Sequence, residues 1–244
     1  MPTKALKSFD HCLVERELLW RSDASTMQTA EVPKDFLVAA NRILKRTLDC
    51  VLTVPLAVLT FPFIAVCAAW IKLASPGPAF FRQEREGEGG ASIMVYKLRT
   101  MYPDAERLLL EYLNSHPEER DGWRRYYKLK KDPRVLPGIG WFLRRYSLDE
   151  LPQLWNVLRG DMSLVGPRPF PFYHLDSFPQ SFRDLRASVK PGLTGLWQVS
   201  DRSDGDVAVQ QAADTYYICN WSLWLDVQIL MRTVRTVLAA KGAY

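Results

Sequence analysis

The chain has 244 residues, 48% hydrophobic and 24% charged, with a formal net charge of +5. That length suits one sizeable domain with appendages. Its basic residues form no long tail, so a nucleic-acid partner is not indicated and an anionic lipid surface or nucleotide fits better. Three scattered histidines (His11, His116, His174) offer no zinc cluster. Four cysteines (Cys12, Cys50, Cys67, Cys219) lack paired spacing and read as reduced packing residues facing the cytosol.

Residues 1–40 form a polar extension with one short apolar patch (Leu13, Val14, Leu18, Leu19), expected as a short helix or a poorly ordered arm. From Cys50 to Ile71 the chain carries no charge. At about 1.5 Å per residue that run is long enough to cross a bilayer core, and it lies too far along the chain for a cleaved signal. Pro55 and Pro62 interrupt it, and both flanks are basic: Arg42, Lys45 and Arg46 before, Lys72, Arg82 and Arg85 after. Prolines kink helices, and the positive-inside rule places both flanks in the cytoplasm. The pattern predicts a re-entrant helix over 41–75, broken near Pro62. Thr53 and Thr60 are candidates to bond the carbonyls that the prolines free. A true membrane crossing and a buried soluble hairpin are the other readings.

Pro78–Phe81 and Ile93–Leu98 read as two strands around a turn at Gly87, Gly89 and Gly90, presenting Lys97 and Arg99 on one face. Helices are expected at 104–115, from after Pro117 to about Leu129, and within 138–146. The second carries Arg124, Arg125, Lys128, Lys130 and Lys131 among Trp123, Tyr126 and Tyr127, a pattern of a solvated face or a headgroup contact. Next come adjacent carboxylates, Asp149 and Glu150, at an expected helix start. Pro152 suits the first turn, which places the N-cap at Asp149, or at Ser147 if the box Ser147-x-x-Glu150 forms. An isolated pair there would simply cap a helix. Here Arg144, Arg145 and Arg168 flank it, and Gly166-Pro167-Arg168-Pro169 is a rigid turn that would aim Arg168. Carboxylates able to hold a metal or attack phosphorus, beside guanidinium forks, suit phosphate chemistry. The tail from Trp221 to Ala240 is amphipathic at helical spacing and reads as an interfacial or a core-packed helix. No Walker A motif and no Rossmann fingerprint is present.

The run Ser147-Leu-Asp-Glu-Leu-Pro-Gln-Leu through Gly160-Asp-Met-Ser-Leu-Val-Gly-Pro-Arg-Pro169 resembles the bacterial sugar transferases, the monotopic polyprenyl-phosphate hexose-1-phosphate transferases. So do Lys45-Arg46-x-x-Asp49, Tyr96–Met101, Lys190–Val199 and the Gly242-Ala243-Tyr244 end, and the resemblance covers roughly residues 42–244. It implies an α+β, mostly helical fold with four parts. These are the extension 1–40, the re-entrant helix 41–75, a catalytic domain 76–215 containing a small β-hairpin, and an interfacial helix 216–244. It also implies transfer of a hexose-1-phosphate, galactose or glucose by analogy, from a UDP-hexose to undecaprenyl phosphate at the cytoplasmic face of the bacterial inner membrane. In that scheme Asp149 is the nucleophile, Glu150 binds Mg²⁺, and nearby arginines keep Asp149 ionised. Arg144, Arg145 and Arg168 clamp phosphate, with Lys97 and Arg99 as further candidates, and Gln198 and Arg202 hold the nucleotide. A homodimer is carried from the larger relatives as an open option. A non-catalytic membrane scaffold with the same fold is the competing reading.

Overall fold

The computed structural model describes residues 39–120, 123, 129, 132–200 and 207–239. The N-terminal extension, Cys12, most of the basic run around 124–131, Arg202 and the Gly242-Ala243-Tyr244 end lie outside the described residues.

The apolar run forms one long helix, α1 (Ala39–Ala74). Within Asn41–Ala74, its most apolar stretch of 18 residues has a mean hydropathy of 2.3. The helix includes Pro55 and Pro62, each of which removes one hydrogen bond and favours a bend while the turns on each side keep theirs. The two threonines do not do what was expected of them. Thr60 Oγ1 donates to Leu56 O at 2.7 Å, one turn back on its own helix. Thr53 Oγ1 is buried without a hydrogen-bond partner. Neither therefore serves the carbonyls of Val51 and Val58.

Strands β1 (Phe80–Glu86) and β2 (Ser92–Leu98) form the expected antiparallel hairpin, in register from Phe80↔Leu98 to Glu86↔Ser92. Gly89 and Gly90, both with φ near +70°, turn the chain between them where a side chain would be strained. Helix α2 (Ala105–Ser115) follows, then α3 (Ile139–Arg145), a 3₁₀ turn (Leu148–Glu150) and α4 (Gln153–Arg159). After β3 (Ser163–Val165) come α5 (Phe172–Leu175), α6 (Gln180–Ala187), β4 (Gly192–Thr194), α7 (Leu196–Ser200), α8 (Val207–Cys219) and α9 (Leu223–Leu238). The fold is thus α+β and mostly helical, with a second, parallel pair β3–β4 that no sequence pattern announced. The boundary expected at 215/216 falls inside α8, and the C-terminal helix starts at Leu223.

One hydrophobic cluster joins α4, β3, α8 and α9 through Leu154, Val157, Leu164, Ile218, Leu225 and Ile229. A second packs Cys67 and Ile71 of α1 on Leu98, Leu136, Ile139 and Leu143. A third, of Phe170, Leu175, Phe178 and Phe182, carries α5 and α6. Helix α9 has apolar residues on both sides. Leu225 and Ile229 face the core, while Trp224, Met231, Val234 and Leu238 are exposed on the opposite side.

Candidate active site

Asp149 and Glu150 sit in the 3₁₀ turn ahead of α4, so the dyad precedes the helix instead of opening it, and Pro152 takes the N-cap position. Ser147 adopts a left-handed conformation (φ 54°) and makes no side-chain cap, so the expected capping box does not form. Glu150 is occupied elsewhere. Its Oε1 accepts from Lys97 Nζ at 2.6 Å and from Arg168 Nη2 at 2.8 Å.

Three devices place those cations. Lys97 lies near the end of β2, and β2 is stitched to α4 by a buried amide. Asn156 Oδ1 accepts from Tyr96 N at 3.3 Å and its Nδ2 donates to Met94 O at 2.7 Å. The side chain stands in for a missing strand neighbour, satisfying one backbone donor and one acceptor. Arg144 ends α3, and its Nε donates to Thr100 Oγ1 at 2.9 Å, beside Asp149. Arg168 sits between two prolines, which have no N–H to donate, so its turn must be held through carbonyls. Gly192 N binds Pro167 O at 2.8 Å, Arg186 Nη2 binds Arg168 O at 2.5 Å, Arg85 Nη1 binds Pro169 O at 2.6 Å, and Glu86 N binds Phe170 O at 3.0 Å. Gly166 and Gly192 allow the close approach beneath the turn, because a Cβ on Gly192 would lie 2.1 Å from Gly166 N.

The chain behind the turn is tied to α1. Asp49 Oδ1 accepts from Ser163 Oγ and Leu164 N, both at 3.0 Å, Lys45 Nζ donates to Val165 O at 3.0 Å, and Arg46 binds the carbonyls of Val157 and Leu158 at the end of α4. The Lys45-Arg46-x-x-Asp49 motif therefore clamps the apolar helix to the strand that leads into Arg168.

Of the expected site residues, Lys97, Arg144, Arg168, Asp149 and Glu150 come together. Arg99 does not: it is buried and closes the end of α1, donating to Ser75 O at 2.9 Å and Pro76 O at 2.7 Å. Arg145 is exposed and lies over the Tyr146 ring. Gln198 is buried and donates to Leu193 O at 3.3 Å, inside the β4–α7 turn. Arg85, read from the sequence as a flank of the membrane segment, stands within electrostatic reach of Arg168 and Glu150. The hairpin brings it there, and strand alternation was the available signal, since Arg85 and Lys97 lie on paired strands.

Burial works to raise the Glu150 carboxyl, but the charges of Arg168 and Lys97 and their hydrogen bonds outweigh it and hold the group well below the usual carboxylate range. Asp149 behaves differently from expectation. Burial, reinforced by the charge on Glu150, pushes it up to about 6 against the pull of Lys97, Arg144 and Arg168. The arginines thus offset desolvation without dominating it. With Lys97, Arg85, Arg144 and Arg168 around two carboxylates, the site keeps a cationic surplus suited to a polyphosphate. Among the described residues no group of three or more His, Cys, Asp or Glu forms a metal cage. A hard cation held by one or two carboxylates plus substrate oxygens is the arrangement Mg²⁺ favours, and Glu150 has both hydrogen bonds on Oε1, so the donor set fits.

A family model described as bacterial sugar transferase matches residues 40–240. The chain belongs to the bacterial sugar transferase family. It is 42% identical over 206 residues, 84% of its own length, to the undecaprenyl-phosphate galactose phosphotransferase of Salmonella typhimurium. It is 44% identical over 207 residues, 82% of its length, to the UDP-glucose:undecaprenyl-phosphate glucose-1-phosphate transferase of Caulobacter vibrioides. It is 40% identical over 201 residues, also 82% of its length, to the exopolysaccharide production protein ExoY of Rhizobium meliloti. The match spans 42% of the Salmonella protein, 72% of the Caulobacter protein and 88% of the Rhizobium protein. The chain thus spans less than half the length of some curated relatives. The dyad, Lys97, Arg144 and Arg168 all lie inside the matched region.

Proposed function

We propose that this sugar transferase moves a hexose-1-phosphate from a UDP-hexose, galactose or glucose, to undecaprenyl phosphate, opening exopolysaccharide or O-antigen assembly. The observation that carries the reading is the pair Asp149–Glu150 inside a cleft whose cations are fixed by backbone and buried side-chain bonds. In the first step an Asp149 oxygen attacks the sugar-linked phosphorus. The bond from that phosphorus to the bridging oxygen breaks, and UMP leaves with the electron pair. The result is a phospho-sugar on the Asp149 carboxylate, an acyl phosphate reactive enough to divide one hard displacement into two easier ones. In the second step an oxygen of undecaprenyl phosphate attacks the same phosphorus and the Asp149 carboxylate departs, giving the lipid diphosphate-sugar. Lys97, Arg168 and Arg144 meet the phosphoryl oxygens and offset charge on the leaving phosphate. Glu150 would hold Mg²⁺, which when bound neutralises diphosphate charge. Gln198 and Arg202 remain candidates for the nucleotide. The test is UMP release from purified protein given a UDP-sugar panel and undecaprenyl phosphate; no release with any donor favours the scaffold reading.

The acceptor cannot leave the bilayer, so the dyad must work at headgroup level. We infer that α1 enters and returns on the cytoplasmic face of the inner membrane. Support comes from its two ends, which dock on the same body: Lys45, Arg46 and Asp49 on β3 and α4, and Cys67 and Ile71 on α3 and β2. A helix crossing the bilayer can dock only one end on a domain that lies on one side. The exposed faces of α9 (Trp224 and Leu238, 67% and 77% exposed) and of α4 (Trp155) suit the interfacial plane. In a cysteine-free background, Arg42→Cys and Lys72→Cys should both label from the cytoplasmic side of sealed vesicles. Periplasmic labelling of either would sink the re-entrant topology.

The pH dependence has a definite sign. A carboxyl raised to about 6 keeps its proton until higher pH, and the protonated acid is not a nucleophile. Below about pH 6 kcat/KM for UMP release should fall about tenfold per unit. A profile flat down to pH 4.5 would mean that Asp149 ionises within or below the usual carboxylate range, and would overturn the upward push of burial on this carboxyl.

A further inference from the structure

Arg186 and Asp214 were singled out neither by motif nor by the chemistry above, yet they are the most enclosed ion pair among the described residues. Their side chains are 3% and 4% exposed. Arg186 comes from α6 and Asp214 from α8, and Arg186 Nη1 donates to Asp214 Oδ2. Its other terminal nitrogen, Nη2, donates to Arg168 O at 2.5 Å. The guanidinium stacks 4.3 Å from the Phe170 ring centroid and 5.7 Å from that of Phe182. Such a pair brings little net stability compared with apolar packing of the same volume, because both charges lose their water. What it supplies is geometry. A planar fork held at Nη1 by Asp214, with the Phe170 and Phe182 rings beside it, presents Nη2 to the Arg168 carbonyl, while its buried Nε has no hydrogen-bond partner.

The prolines on either side of Arg168 take away the backbone donors that would otherwise fix the turn. The Arg168 carbonyl is therefore gripped from outside, while the side chain of the same residue reaches Glu150 Oε1 at 2.8 Å. We propose that Arg186, braced by Asp214, is a positioning residue that sets where the Arg168 guanidinium stands relative to Asp149 and Glu150. The proposal rests on the phosphoryl-transfer reading of the dyad. Arg186 acts only through Arg168, since it has no hydrogen bond or ion pair with either dyad carboxylate. Moving a positioned group by about 1 Å can cost about 100-fold in rate.

A double-mutant cycle tests this on the full chain in detergent, reading kcat and KM for UMP release with melting temperature alongside. Arg186→Lys keeps the charge, but its compact ammonium cannot bridge Asp214 and the Arg168 carbonyl as the fork does. It should lose about 100-fold. The loss should fall on kcat rather than on KM, the mark of an interaction realised in the transition state. Lys97, Arg144 and Glu150, the other charges facing Asp149, are untouched. In the Arg168→Gln background the same change should cost nothing further, since the group it positions is gone. Asp214→Asn, which preserves shape, should reproduce the loss in kcat and stands in if Arg186→Lys does not fold. Additive losses in the cycle, or a folded variant whose loss lies in KM alone, would overturn the proposal. Wild-type protein that releases no UMP with any donor would overturn the underlying function, and this proposal with it.

Discussion

Asp149→Asn is expected to lower UMP release by on the order of 10⁴-fold or more and to abolish the labelled phospho-sugar adduct. The amide is nearly the same size, so the 3₁₀ turn and the Lys97–Glu150–Arg168 contacts, none of which use Asp149 as a hydrogen-bond partner, should persist. The variant also removes a buried carboxyl that burial already disfavours in its charged form, so its melting temperature should not fall. That combination separates a chemical role from a structural one. A variant that melts at wild-type temperature, turns over normally and still carries label would assign the nucleophile to another residue. Adduct trapping on wild-type protein with a donor but no lipid acceptor gives the matching positive result, one labelled phospho-sugar per chain at Asp149.

Asp226→Ala should destabilise the folded protein by about 3–5 kcal/mol, the usual result of stripping one partner from a buried ion pair. Asp226 is 1% exposed on α9. Its Oδ2 lies 2.6 Å from Lys45 Nζ and 3.1 Å from Trp221 Nε1, and its Oδ1 lies 2.8 Å from Tyr217 Oη. Tyr217 Oη is also 3.1 Å from Val165 O, so its single proton is shared between two acceptors. Without the carboxylate, Lys45 is left nearly sealed against Val165 O and Tyr217 with no counter-charge. Asp226→Asn should lose less, because the amide oxygen still accepts from Trp221. Denaturant midpoints in matched detergent measure both. A loss for Asp226→Ala below about 1 kcal/mol would mean that the knot between α1, β3 and α9 bears little of the fold. The knot matters for function because β3 runs directly into Gly166-Pro167-Arg168. Helix α1 and the turn that carries Arg168 are joined across three residues of strand.

The local features were legible in order along the chain. A charge-free run flanked by basic residues marks α1, alternation around glycines marks the β1–β2 hairpin, and 3.6-residue spacing marks α9. The dyad and the Gly-Pro-Arg-Pro turn were also visible, because prolines and adjacent carboxylates impose local geometry. The parallel pair β3–β4 was not. Its strands are three residues each, too short for a period, and they pair across a gap filled by α5 and α6. The same limit governs the site. Lys97 and Arg99 stand two positions apart and read alike in the sequence, yet Lys97 within β2 reaches Glu150 while Arg99, just beyond the strand, closes α1, a choice made by where the strand end meets the helix. Ser147-x-x-Glu150 is a sound capping sequence, and Glu150 still turns to Lys97 and Arg168, because two cations in a half-buried cleft outbid one backbone amide. Arg186 and Asp214 lie 28 positions apart with no shared motif. Residue order dictates which groups can turn, cap or insert. Which charges meet is decided only when distant helices pack, since burial and Coulomb attraction depend on distance in space, not along the chain.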